Sequence, residues 1–385
     1  MLWLNLLHLY QPANIERDKL LEATEKSYER ILRALEEHPG VKFTLNIAGC
    51  LLVRWDEELG RRDLIERFKR LLDQGRIELT GSAAYHALLP LVSKNEAKKQ
   101  ITDQEKILRK YFGARLKLQG FFLPELAYSR DIAKTIKNLG YRWLILDELS
   151  AAAKPLAGKR YSDSVSGLDI IFRNRKISES FVPETILPLT ESSRTVVTCS
   201  DAELYGLRHL DQPASFERVL KRRGLVTQTI SSYIDATESA GKIKLHESSW
   251  QTSAAELRKH MPFALWYNKN NALHDKLWRL AGLAQKLYWQ NLNDKNRWWS
   301  RWHLVRGLAS CTFWWASHHD FRQVFGPLAW NPDEIERGAD ELIRSIRSLE
   351  ASTGLKTKKQ AEELAATIKR DIWLKHWQIK NRAGL

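Results

Sequence analysis

The chain has 385 residues, 43% of them hydrophobic, and its 61 Lys+Arg against 46 Asp+Glu give a formal charge of +15. Such a composition builds a real core and excludes long disorder, and the length suits one large domain with an appendage or two to three ordinary domains. Basic runs such as Arg173 to Lys176 and Lys221 to Arg223 have no long basic arm or RNA-binding signature beside them, so they read as solvated faces and nucleic acid is not expected as a partner.

The first predicted strand, Leu2 to Leu7, has no basic leader and meets His8 at once, which excludes a secretory signal or a membrane span there. Short apolar, β-branched-rich runs follow at Val41 to Ile47, Arg76 to Leu79, Leu118 to Phe122, Trp143 to Leu146, Asp169 to Phe172, Thr195 to Cys199 and Lys242 to His246. Between them, helical spacing covers Ile15 to Glu37, Asp63 to Asp73, Lys94 to Tyr111 and Ser129 to Asn138, the last with Gly140 as its C-terminal cap. This alternation predicts an α/β fold, a parallel β/α barrel of seven or eight strands with its chemistry at the strands' C-terminal ends.

From about Phe263 the apolar residues recur at threes and fours. Helices are expected over His274 to Trp289, Trp298 to Trp315, Pro332 to Leu349 and Lys359 to Trp377. Asn331, Pro332, Asp333 and Glu334 make a helix start: cap, first-turn proline and acids against the helix dipole. The expected division is residues 1–262 as a catalytic barrel and 263–385 as a helical C-terminal domain packed on it. Most of the 15 Trp fall at or after Trp250, and pairs at helical spacing, Trp278 with Trp289 and Trp298 with Trp302, read as core.

Four strand ends carry polar groups that a core would reject. HLYQP places His8, Tyr10 and Gln11 after the first strand, and RIELTGSAAYHALLPL places Glu78, Tyr85 and His86 at another. GFFLPELAYS puts Glu125 directly after Pro124, and TVVTCSDAELYG ends in Asp201 and Glu203, with Gly206 allowing a sharp turn. Singly, each has an ordinary reading: a first-turn acid, an N-cap, a satisfied core histidine. On different strands of one barrel, however, carboxylates converge on one face, and closely held like charges leave one ionised and one protonated. Glycoside cleavage needs such a pair, roughly 5 to 5.5 Å apart for retention and about 6.5 to 9.5 Å for inversion. Aromatic faces that stack on sugar rings complete the requirement, with Trp250, Trp314 and Trp315 as candidates.

These segments, in this order, resemble glycoside hydrolase family 57. HLYQP is similar to the family's HxHQP, NIAGCLL to its second motif, GFFLPE to GxWxxE and SDAELYG to its Asp-x-Glu motif; GLASCTFWWAS stands where the fifth would lie. FRNRKISE, HESSW and PFALWYNKNNALH extend the resemblance over nearly the whole chain, with wording closest to branching enzymes. The resemblance implies a distorted (β/α)7 barrel followed by a C-terminal helical bundle, acting on α-linked sugars with retention and without metal or cofactor. Carried over by position, Glu125 is the nucleophile, Asp201 the acid/base and Glu203 a supporting carboxylate. His8 and Gln11 then contact the sugar, joined as substrate-binding candidates by Tyr10, His86 and the three Trp.

Tyr10 replaces the family's second His and Phe122 its Trp, so a sugar-binding homologue that has lost activity is the second reading. The short chain suggests short oligosaccharides or a terminal sugar. Metal-dependent deacetylases of related fold need His-x3-5-His, but His318 and His319 are adjacent and His274 has no partner at that spacing. Cys50, Cys199 and Cys311 are too scattered for a disulfide framework or metal knuckle, which suits a reducing, cytoplasmic setting. Cys199, near Asp201, reads as a buried inert thiol.

Overall fold

The computed structural model describes residues 1–317, 330–350 and 354–383, with side chains as far as Gln378 in the last helix. His318 and His319 lie outside the described residues. The chain divides into two compact units: Met1–Ala84 with Ala97–Trp250, and Tyr85–Glu96 with Gln251–Leu385.

The first unit is α/β. Its strands are β1 (Leu2–Leu9), β2 (Phe43–Ile47), β3 (Ile77–Leu79), β4 (Gly120–Phe121), β5 (Trp143–Asp147), β6 (Arg160–Asp163), β7 (Asp169–Arg173), β8 (Thr195–Asp201), β9 (Val226–Thr227) and β10 (Ser239–Ile243). One sheet runs β3-β2-β1-β8, with β9 paired to the start of β1, and the other runs β10-β6-β7-β5-β4. All pairings are parallel except β6 with β7. Trp3 to Leu9 are all buried, which is why β1 reads as a near-continuous apolar run instead of an alternating one.

Two backbone links join the sheets. Gly81 bridges Phe121 in parallel, and Asn174 N donates to Val197 O at 2.7 Å. Gly120 starts β4 because a Cβ there would lie 1.9 Å from the Trp143 ring. β8 extends past the expected Cys199 to Asp201, so this carboxylate is part of a strand. The expected Lys242–His246 strand lies earlier, over Ser239–Ile243, and β6 and β9 were not legible. The helix expected over Ile15 to Glu37 is interrupted by a π turn, Thr24–Tyr28. Ser129 caps Arg130–Asn138 by accepting from Ile132 N, and Gly140 follows at φ +93°.

The second unit is helical: Ala272–Gln290, Arg297–Gly307, Ser310–Trp314, Pro332–Ser348 and Leu355–Ala383. Asn331 caps its helix by accepting from Glu334 N. The single helix expected over Trp298 to Trp315 is two helices. Ala309 leaves helical geometry at ψ 136° and pairs with Ala87 in an antiparallel bridge, so Tyr85–Glu96 belongs to this unit. Trp298 and Trp302, expected in the core, are 54% and 38% exposed. The inward stripe of their helix is Ser300, Leu304 and Gly307, and the indoles project from its other side. Trp278 does pack, stacking on Phe313 at 3.8 Å between ring centres. Among the described residues no helix is long and apolar enough to cross a membrane.

Candidate active site

Parallel pairing carries the ends of β3, β2, β1 and β8 to one side of the sheet, and their terminal side chains form a polar row. His8 stands in register with Asn46 on β2 and with Asp201 on β8. Its Nδ1 lies 2.8 Å from Asn46 Oδ1, and Asn46 Nδ2 donates to Thr80 Oγ1 at 3.1 Å. Since Oδ1 can only accept, Nδ1 carries the hydrogen of the neutral ring. Burial pushes the His8 pKa down from 6.5 to about 4 against the pull of Asp201 and Asn46, so the ring is uncharged near neutral pH.

An aromatic cluster surrounds it. His8 stacks on Phe122 at 4.4 Å and on Tyr10 at 5.7 Å, and meets Trp250 edge-on at 6.3 Å. Trp250 leads to the other carboxylate: its Nε1 donates to Glu125 Oε2 at 2.8 Å and its backbone N to Glu125 O at 3.0 Å. Glu125 has φ +61° and Leu126 φ +48°, left-handed geometry that costs a residue with a Cβ about 1 to 3 kcal/mol. The turn after β4 therefore stores strain where it presents its acid.

Asp201 ends β8 about one-quarter exposed, paired with Arg208 Nη1 at 3.1 Å. Glu203, two residues on, is buried. It accepts from Gln11 Nε2 at 3.1 Å and from the Tyr28 hydroxyl. Burial raises its pKa from 4.5 to about 7, with Arg208 opposing and Asp201 reinforcing the shift. Behind Trp250, Arg173 at the end of β7 donates to Asp147 Oδ2 (2.8 Å), Cys199 O (3.1 Å) and Trp250 O (3.2 Å). Arg175 adds a 2.9 Å ion pair to the fully buried Asp147, a double pairing that a buried carboxylate requires.

His8, Tyr10, Trp250 and Glu125 thus join through ring contacts and a hydrogen bond, Gln11 and Glu203 through another hydrogen bond, and Asp201 stands in register with His8, all within the first unit. His86, Trp314 and Trp315 lie in the helical unit, where His86 Nδ1 is 2.8 Å from Ser310 Oγ and the two indoles are 4.6 Å apart. Glu78 is no surface acid: it accepts from Thr44 Oγ1 at 2.6 Å and Ser231 N at 3.0 Å. Sequence reasoning missed Tyr28, Asn46, Asp147, Arg173 and Arg208. Asn46 and Arg173 stood inside quoted motifs, whereas Tyr28 sits on a helix's apolar stripe and reads as core.

The profile described as Glycosyl hydrolase family 57 matches residues 4–182. That match takes in 179 of the chain's 385 residues. An α-amylase of Pyrococcus horikoshii is 24% identical over 302 residues, covering 74% of this chain and 44% of the relative, so the chain spans less than half that relative's length. Among solved structures, the 4-α-glucanotransferase of Thermococcus litoralis aligns with a TM-score of 0.70 at 17% identity, over 91% of this chain and 60% of that one. A family 57-type branching enzyme of Pyrococcus horikoshii gives 0.68 at 18% identity, over 96% and 95%. These likenesses establish an α/β fold with a parallel sheet and a helical C-terminal region.

Proposed function

We propose that the chain is a retaining α-glycoside-processing enzyme, a hydrolase or transglycosylase acting on α-glucan or related oligosaccharides. The observation that carries the reading is the pair of carboxylates at two strand ends: Glu125 on a strained turn held by Trp250, and Asp201 in register with a neutral His8. The family 57 match over residues 4–182 and the amylase, glucanotransferase and branching-enzyme names of similar proteins support it.

In this reading Glu125 attacks the anomeric carbon while Asp201, protonated, gives its hydrogen to the departing glycosidic oxygen. Water or a sugar hydroxyl then displaces Glu125, returning its proton to Asp201. Trp250 Nε1 holds Oε2 of Glu125 at 2.8 Å and so fixes the orientation of the carboxylate. A neutral His8 can hydrogen-bond a sugar hydroxyl without drawing Asp201 into an ion pair. Gln11, whose amide hydrogens go to Glu203 and Tyr28, offers the sugar its carbonyl oxygen.

We further read the seven strands β8, β1, β2, β3, β4, β5 and β7 as one distorted barrel, supported by the Gly81–Phe121 and Asn174–Val197 links. We read residues 1–262 as the catalytic part and 263–385 as the helical part, and His86, Trp314 and Trp315 of the helical unit as candidates for sugar contacts of their own. A cytoplasmic setting fits cysteines that form no disulfide among the described residues.

Glu125→Gln and Asp201→Asn should each lower turnover by about 1,000-fold or more with melting temperatures near wild type. Product analysis with maltooligosaccharides, amylose and aryl α-glycosides reads this and separates hydrolysis, transfer and branching. Wild-type rates in either variant would overturn the assignment. Tyr10, in place of the family's His, favours a sugar-binding homologue as the second reading, which predicts saturable binding without turnover in the same assay.

A further inference from the structure

The helix that connects β1 to β2 is irregular where it meets the turn after β8. Its π turn, Thr24–Tyr28, inserts a residue between Arg17–Ala23 and Glu29–Glu37, and one inserted residue rotates everything after it by about 100°. Three successive residues of this stretch touch the segment 202–206. A Cβ on Gly206 would collide with Lys26 O; Ser27 Oγ donates to Ala202 O at 2.6 Å; the Tyr28 hydroxyl donates to Glu203. Tyr28 also reaches the other strand end, 3.0 Å from Tyr10 O, and accepts from Gln11 Nε2 at 3.3 Å. Its buried ring packs edge-on against Trp55 at 5.6 Å, and Trp55 Nε1 donates to Thr24 Oγ1 at 3.0 Å within the same π turn.

We propose that Tyr28 is a positioning residue: presented by the π turn, its hydroxyl clamps the Tyr10–Gln11 segment after β1 to the Asp201–Glu203 turn after β8. The proposal rests on the reading of Asp201 as acid/base, because the clamped turn carries it. A phenol has one hydrogen, and here two acceptors compete for it. With Glu203 ionised, that hydrogen goes to the carboxylate, and Gln11 adds a second. With Glu203 protonated, the carboxyl donates to the Tyr28 oxygen and the phenolic hydrogen turns to Tyr10 O. The proton on Glu203 thus decides which strand end Tyr28 grips.

The charged and titratable groups around Glu203 leave it free to exchange that proton near neutrality. Burial carries it up to about 7, Asp201 reinforcing and Arg208 opposing. His8, from β1, is held near 4 and stays neutral there, and Tyr28 is pushed far upward and stays protonated. The Tyr28 hydrogen bond itself favours the ionised carboxylate.

Tyr28→Phe keeps the ring against Trp55 and removes the clamp. Its readouts are the Glu203 carboxyl band in difference infrared titration, identified by its loss in Glu203→Gln, and the pH profile on maltooligosaccharides. The band's midpoint should rise by about one pH unit and kcat should fall about tenfold with KM within about twofold. The limb of the profile that follows Glu203 should move upward with the band. A Glu203 midpoint equal to wild type, with or without a lower melting temperature, overturns the proposal. Should Tyr28→Phe not fold, 3-fluorotyrosine at position 28, a stronger donor, should lower the midpoint, and an unmoved midpoint is again decisive against it. Absence of turnover in the wild type would defeat the glycosidase reading alone, since the infrared titration needs no activity.

Discussion

At the scale of single residues, two buried groups near the strand ends pull stability in opposite directions with pH. His8 titrates near 4 instead of 6.5, so its contribution is complete above 6.5 and is lost as the solution is acidified towards 4. Glu203 titrates near 7 instead of 4.5; its contribution is complete below 4.5 and is lost as pH rises through 7. Relative to wild type, Glu203→Gln should therefore gain in melting temperature from about pH 5 to about pH 8, and His8→Asn should gain as pH falls from about 7 to about 4. Thermal melts across that range decide it, and the opposite slope for either variant would contradict the burial argument. Both residues were legible in HLYQP and SDAELYG as polar groups beyond strands. Their burial was not, because desolvation depends on Phe122, Tyr28 and Trp250, which arrive from elsewhere in the chain.

At the scale of elements, strand placement was legible wherever β-branched and aromatic residues filled a strand buried on both faces. β1, β2, β5, β7 and β8 lie close to their expected spans for that reason. β6 and β9 are short, contain polar residues such as Arg160, Ser162 and Thr227, and are strands only because a neighbour pairs with them. The same logic separates two substitutions. Gly120→Ala drives a Cβ into the Trp143 ring and should cost about 2 kcal/mol or more by overpacking. Trp298→Gln alters a side chain that is 54% exposed and should stay within about 0.5 kcal/mol. Urea denaturation of each variant measures both, and equal costs would contradict the packing described.

For the molecule as a whole, the surplus of +15 is interleaved with acids instead of being gathered into a stripe. Arg30 pairs with Asp211 and Glu217, Arg67 with Glu36, and Arg347 with Glu362. With the basic groups spread among acids in this way, any affinity for a fluorescent DNA duplex at low salt should vanish by about 150 mM. Anisotropy titrations at two salt concentrations check this; tight binding that survives would revive a nucleic-acid role.

The sequence by itself determined which residues stand at strand ends. A parallel arrangement turns that list into one polar face, since the C-terminal ends of β3, β2, β1 and β8 lie on the same side. It also carried the resemblance to family 57, through motifs that are local in the chain. Only the tertiary structure decided what each group meets: Glu203 against Tyr28, 175 residues earlier, Glu125 against Trp250, 125 residues later, and His8 in register with Asp201. Proton affinities and backbone strain follow from those meetings, because desolvation and hydrogen bonding are set by neighbours in space, and a linear pattern records only neighbours in sequence.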